Sequence, residues 1–379
     1  MKRTPLALLN LLHERTRLVV AIAGVAFAVL LIFMNLGFQG ALLQTAVNFY
    51  ERIDADIFLT SPQSLEISTT KAFPRTRLYQ VAGIEGVERV MPLYMEYLLW
   101  RNPETRISRA MFVFGINPQD PVFVMPELQT AKARTILKQP DTVFIDRLSR
   151  AEFGPQTIGL ETEADRRRIT IGGQYTLGGG FASDGTLIMS DQNFVRFFSP
   201  RPFSQINLGL IQLSPEADPE AVAATMRQTL PADVEVKMKH EIVQNDLQYW
   251  LVNTAIGFIF SLGVLVSFIV GTVIVYQILY TDIRDHLKEY ATLKAMGYSG
   301  RYLFGVVLQE AVILALAGYV PGLLVAIGLY RLTFRATALP MVMTPNRLVL
   351  VFLLTIVMCG LSGLISVRRA VTADPAEVF

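Results

Sequence analysis

Residues 18–38 read LVVAIAGVAFAVLLIFMNLGF, with no charge along the whole run. A helix rises 1.5 Å per residue, so about 20 apolar residues match a hydrocarbon core of about 30 Å. Three further runs of this kind lie at 251–280, 302–330 and 348–367, and only the run at 302–330 holds an acid, Glu310. Overall the chain is 52% hydrophobic and 17% charged, where a soluble domain carries about 25% charged residues. Mean hydropathy is +0.40. The expected fold is a helical membrane protein with four transmembrane helices and a large α+β extracytoplasmic domain inserted between the first and second. The run at 18–38 is longer than the 7–15-residue core of a secretory signal and lacks a small-x-small site, so it reads as an uncleaved anchor. The net charge of +2 is too small for a nucleic-acid partner. The single cysteine, Cys359, leaves no intrachain disulfide.

Orientation follows the Lys/Arg bias of short flanks. Lys2, Arg3, Arg15 and Arg17 precede the first span; Arg284, Lys288, Lys294 and Arg301 lie between the second and third; Arg368 and Arg369 follow the fourth. Arg331, Arg335 and Arg347 between the third and fourth spans pull weakly the other way. Residues 1–17, 281–301 and 368–379 are therefore expected on the cytoplasmic side of the inner membrane, with 39–250 and 331–347 outside. Residues 6–13 fit either an amphipathic surface helix or a frayed lead-in. No Gly-Pro break interrupts 246–285, and Leu42, Leu43, Ala46, Phe49 and Tyr50 continue a helical stripe past the first span. Both flanks of the outer domain thus read as a stalk, the other reading being tilted spans with separate surface helices.

The outer region mixes short periods. Short strand patterns are read at 56–60, 87–100 (one or two strands), 110–115, 141–146, 169–177, 186–189 and 206–213, and 234–238 alternates as a strand. Helices are expected at 76–82, 127–137, 147–153 and 219–230, the last capped by Asp218. A lobe at 141–199 reads as an insertion. Gly178–Gly180 reads as a turn because no P-loop Lys-Ser/Thr follows, and the basic triplet at 166–168 as a solvated face. There is no GxSxG, HExxH, Walker A or CxxC motif, and His13, His240 and His286 stand in separate segments. Neither a catalytic residue, a metal centre nor a cofactor is expected.

The segment from Asp282 to Met296 is helix-compatible, with Gly297 as its stop and Ile283, Leu287, Tyr290 and Leu293 or Lys294 at helical spacing. Periodicity alone fits two readings equally: a helix pushed by a partner, or one lying on lipid headgroups. The stretch HLKEYATLKAMGYSGRYLFGVVLQEAVILALAGYVPGLLVAIGL resembles the permease core shared by MacB-, FtsX- and LolC/E-like ABC transporter subunits. Lys288-Glu289-Tyr290-Ala291-Thr292-Leu293-Lys294-Ala295-Met296-Gly297 is similar to that family's coupling helix. Glu310-Ala311, the glycines Gly318, Gly322 and Gly328, and the tail Ala373-Asp374-Pro375-Ala376-Glu377 match further family features. The usual Arg-Glu-Ile-Gly opening is Lys288-Glu289-Tyr290-Ala291 here. The N-terminal half and the tyrosine-bearing coupling segment look most like DevC-type permeases.

The resemblance implies a non-catalytic subunit. Two copies of a separate ABC ATPase would bind a homodimer of the chain, and ATP-driven closure would reach the outer domain by mechanotransmission. Arg284, Leu287, Lys288, Glu289, Tyr290, Lys294, Ala295, Met296 and Gly297 would form the ATPase contact. A periplasmic membrane-fusion protein, an outer-membrane channel and a lipid or glycolipid cargo complete the implied exporter. The alternative is an FtsX-like signalling subunit that activates a cell-wall hydrolase. From spacing, Gly263, Ser267 and Gly271, and separately Gly318 and Gly322, form small-residue faces for close helix contact, with Gly24 and Ala28 a weaker third. Pro321 is expected to kink the third span, and Glu310 to pair near the inner interface, with Arg301 or a first-span flank residue.

Overall fold

The computed structural model describes residues 15–178, 184–286 and 300–372 apart from 338, together with 289, 292 and 296. The segment at 6–13, the glycines after Gly178 and the tail from Ala373 lie outside the described residues. Among the described residues, four helices are long and apolar enough to cross a membrane. They are α1 (Arg15–Glu51) and three that follow the outer domain, introduced below. The chain divides into a unit built on these helices and a second unit of residues 41–254 with 337–340.

The second unit is α+β. In chain order its elements are β1 (Ile57–Thr60), β2 (Phe73–Pro74), α2 (Thr76–Val81), β3 (Val87–Arg101) and β4 (Ser108–Ile116). Then come α3 (Pro126–Gln129), α4 (Ala131–Leu137), β5 (Thr142–Asp146), β6 (Glu161–Ala164), β7 (Arg167–Tyr175) and β8 (Thr186–Ser190). Last are α5 (Asp191–Phe197), β9 (Gln205–Ile206), β10 (Leu208–Leu213), α6 (Pro219–Thr229), β11 (Glu235–Met238) and α7 (Lys239–Gln248). Nine strands form one sheet in the order β11-β1-β10-β3-β4-β8-β5-β7-β6. Its far end closes: β6 also pairs with the end of β3, Trp100 opposite Ala164 and Arg101 opposite Glu163. Strands β3, β4, β8, β5, β7 and β6 therefore make a ring, which removes an exposed edge. The segment expected as a lobe supplies most of this ring but shares its sheet with β3 and β4.

Period-two alternation sends successive side chains to opposite faces. Tyr94, Leu98, Trp100, Met111, Val113, Val143 and Ile145 pack on one face. Met91, Leu93, Met95, Phe112, Phe114 and Phe144 pack on the other, with Phe49 and Tyr50 of α1. Strands β1, β5 and β8 are buried along their whole length, which explains their continuous apolar runs. At the open edge, β11 is sealed from within. Arg227 donates to the Val236 carbonyl, Glu241 accepts from the Met238 N–H, and the two side chains pair at 2.7 Å. Asp218 caps α6 by accepting from Glu220 N–H.

Several expectations are corrected. The helix anticipated over 127–137 is two helices, because Thr130 is extended and its hydroxyl caps α4 at Ala133 N–H. The helix anticipated over 147–153 is a turn followed by a single 3-10 turn, Ala151–Phe153. There the Asp146 carboxylate takes the Leu148 N–H, turning the chain before a helix can start. The strand anticipated over 206–213 is split at Asn207, whose side chain accepts from Met95 N–H and donates to Thr70 Oγ1.

The unbroken helix anticipated over 246–285 does not form. A π-helical turn, Tyr249–Asn253, follows α7, and Thr254 is extended at φ −105°, ψ 148°. Its hydroxyl donates to the Trp250 carbonyl at 2.7 Å. The second spanning helix, α8, is thus Ala255–Asp285. The third, α9, is Gly300–Thr337 and takes in much of the stretch anticipated as a loop at 331–347. The fourth, α10, is Pro345–Thr372.

Candidate functional site

The segment between α8 and α9 carries the residues singled out for ATPase coupling. Met296 N–H donates to Thr292 O at 3.0 Å and Glu289 N–H to His286 O at 3.1 Å. Arg284, Glu289 and Met296 are exposed, Met296 at 63%. Leu287, Lys288, Tyr290, Lys294, Ala295 and Gly297 lie outside the described residues. The root of the segment is well defined. Ile283, Val307 and Val367 form a small apolar cluster with Tyr302 and Phe304, joining the ends of three helices. Arg17 of α1 pairs with Asp285 at 2.5 Å. All four spans therefore meet at this end, one of them through an ion pair.

Above that root the small residues set the helix contacts. A Cβ at Gly271 would stand 2.7 Å from Ala28 Cβ and closer still to Met358 Sδ. A Cβ at Gly263 would collide with Asn35, whose amide donates to Ser267 Oγ at 3.4 Å and to its own Leu31 carbonyl at 2.9 Å. Ser267 is buried. On the other side of α1, a Cβ at Gly322 would lie 2.8 Å from the Ala26 carbonyl, and one at Gly318 would strike Val25. The first span thus sits between α8 and α9, with backbones drawn together wherever a side chain is missing. Gly24 belongs to the same contact, facing Ile274. Ser362 of α10 lies 2.8 Å from the Thr272 carbonyl and 2.9 Å from that of Met358, so its one hydroxyl proton is shared between the two helices. Glu310 is fully buried one turn from Val307. Arg301, its anticipated partner, has a side chain outside the described set. The α9 helix continues unbroken through Pro321.

Sequence reasoning missed a polar contact in the outer domain. The Tyr50 hydroxyl, one residue before the end of α1, donates to Asp246 Oδ2 at 2.8 Å, and the Ile67 N–H donates to the same oxygen at 3.2 Å. Tyr50 and Asp246 are 1% and 3% exposed. Burial pushes the Asp246 carboxyl up to about 7; the Tyr50 hydrogen bond lowers it and the nearby Glu66 charge raises it. Burial likewise drives the Tyr50 phenol well above its ordinary value, with Asp246 adding to the rise. Glu66 itself is buried and accepts from Ser68 N–H at 2.8 Å. The two chain segments entering and leaving this domain are therefore locked together by one buried bond. Tyr50 and Asp246 are 196 positions apart, and neither carries a motif.

Residues 258–375 match the FtsX-like permease C-terminal family. No curated protein sequence matches the chain. The outer domain is similar to the periplasmic region of MacB from Actinobacillus actinomycetemcomitans, with 11% identity, 51% of this chain and 92% of that one covered, and a TM-score of 0.38. It is also similar to the extracellular domain of the noncanonic ABC-type transporter YknZ from Gram-positive bacteria, with 13% identity, 48% and 98% covered, and a TM-score of 0.34. The matched segment, residues 258–375, takes in nearly all of α8 together with α9 and α10, three of the four helices that are long and apolar enough to cross a membrane.

Proposed function

We infer that the chain is the permease subunit of a tripartite ABC exporter. A permease of this family works with an ATPase partner. On this reading two ATPase copies bind a homodimer of the chain on the cytoplasmic side. The segment from Asp282 to Gly297 docks in the ATPase, with exposed Met296 and Glu289 among its contacts. ATP-driven closure shifts this segment, and with it the apolar root of Ile283, Val307 and Val367. The carrying observation is the continuity of α1. It is paired to Asp285 through Arg17 at one end and hooked to Asp246 through Tyr50 at the other. At 37 residues it is about 55 Å long, well beyond a hydrocarbon core of about 30 Å.

The close contacts at Gly271, Gly318 and Gly322 make α1 move with its neighbours, since packed helices shift as bodies. The cargo on this reading is a lipid or glycolipid, handed on through a periplasmic membrane-fusion protein and an outer-membrane channel. Co-purification of the chain with its cognate ATPase tests the coupling role. Deleting 282–297 should abolish it; retention of the ATPase by the deleted chain would refute the assignment. Capture of a peptidoglycan hydrolase by the outer domain, in place of a fusion protein, would refute export.

A further inference from the structure

We propose that the end of α9 distal to the coupling root binds the anionic headgroup of a membrane lipid, through the guanidinium groups of Arg331 and Arg335. The proposal needs the orientation argued from charge but not the exporter reading. Residues 331–347, RLTFRATALPMVMTPNR, hold three arginines and no acid. Because α9 runs on to Thr337, Arg331 and Arg335 stand one turn apart on a single helix face, and both are exposed. Residues at this spacing have Cβ atoms about 6 Å apart, a span that oxygens of one phosphate or two adjacent ones can bridge.

Their face is the lipid face. Leu316, Val320 and Leu324 are exposed at 48%, 56% and 64%. At 100° per residue, these three and the two arginines fall within an arc of about 100°. The stripe of outward apolar side chains therefore ends in two cations. From Val312, itself exposed, to Arg331 the helix rises about 28 Å, close to the hydrocarbon thickness. With the apolar stripe filling the core, the guanidiniums arrive at headgroup level. Leu332 and Phe334, 61% and 50% exposed, flank them as apolar anchors at that depth.

Arg347 shows the contrast. Its guanidinium turns inward, donating to the Val342 carbonyl at 2.6 Å, reaching the Tyr330 hydroxyl at 3.5 Å and lying against Gly40. Its charge is absorbed in packing. Arg331 and Arg335 take part in none of the ion pairs found among the described residues, and their loop has no acid to supply one. Cations in a short outer loop work against the orientation that the other flanks impose. A fixed anion in the headgroup layer offsets that cost, and arginine suits it because its planar fork takes two phosphate oxygens at once.

Native mass spectrometry of the full chain, released from nanodiscs of phosphatidylcholine with phosphatidylglycerol, tests this. The wild type should retain phosphatidylglycerol in preference to phosphatidylcholine. Arg331→Gln with Arg335→Gln should lose one retained anionic lipid per chain, its dissociation constant rising about tenfold or more, as each cation near a membrane surface contributes several-fold. Arg331→Lys with Arg335→Lys should retain the lipid more weakly than wild type. If the double glutamine variant does not purify, Arg335→Gln alone should show a several-fold loss. Unchanged lipid retention in the glutamine variants would overturn the proposal, as would equal retention of the two lipids by the wild type. Displacement of the lipid by millimolar inorganic phosphate would assign the site to free phosphate and overturn the lipid as ligand. Labelling of Arg335→Cys by an impermeant maleimide from the cytoplasmic side alone would overturn its place in the outer leaflet.

Discussion

Asparagine at Asp246 should flatten the pH dependence of stability. The carboxyl is 3% exposed and its pKa lies at about 7, against an ordinary value of about 3.9. At about 1.4 kcal/mol per pH unit, the ionised form costs the folded state about 4 kcal/mol. The folded chain binds this proton more tightly than the unfolded one. Stability from Asp246 is therefore complete below about pH 4 and is lost as pH rises through about 7. Between pH 5 and pH 8 the loss is about 3 kcal/mol, or roughly 6–12 °C in melting temperature for a domain of this size.

Asp246→Asn keeps an oxygen for the Tyr50 hydroxyl and removes the titration. Burial also raises Asp120, Asp146 and Asp191, so the variant keeps some slope of the same sign. The difference between wild type and variant isolates the contribution of Asp246. Scanning fluorimetry of the full chain in detergent, at pH 5 and pH 8, reads it directly. The variant should gain on the wild type by about 3 kcal/mol on going from pH 5 to pH 8. An equal offset at both pH values would refute the reasoning.

Tyr50→Phe removes the shorter of two donors to a buried carboxylate, costing about 1.5–3 kcal/mol at pH 8 and less at pH 5, by the same fluorimetry. Gly271→Leu forces a side chain into Met358 and Ala28 and should cost about 1–3 kcal/mol or prevent accumulation, whereas Gly328→Leu, with open space around its Cβ position, should be nearly silent in detergent melts. The Arg17–Asp285 pair, with side chains 30% and 43% exposed, should contribute under about 1 kcal/mol. Arg17→Asp should nevertheless lower ATPase stimulation by the permease, and adding Asp285→Arg should restore it.

The spans were legible because a charge-free run of about 20 residues has few other stable homes. Strand positions were legible as short β-branched and aromatic runs bounded by turns, as in β4 and β5. Helix ends were less so. Thr130 is unremarkable inside a helical pattern, yet it divides that pattern by capping Ala133 N–H with its hydroxyl. The closing of the ring between β6 and β3 depends on two pairs 62 and 64 positions apart, which local pattern cannot specify. The glycines of α8 and α9 announced close contacts, but nothing in their spacing named α1 as the partner of both. The Tyr50–Asp246 bond was invisible for the same reason. A tyrosine on an apolar stripe and an aspartate on a helix have a joint meaning only after folding.

Hydrogen–deuterium exchange of the chain in complex with its ATPase, compared between ADP and a non-hydrolysable ATP analogue, tests the transmission of motion most directly. Exchange in Ala41–Glu51 of α1 and in α7 should change with nucleotide, and the change should vanish with Glu289→Arg and Met296→Asp in a complex that still forms. Exchange in the outer domain that is the same in both nucleotide states of the intact complex would contradict the account.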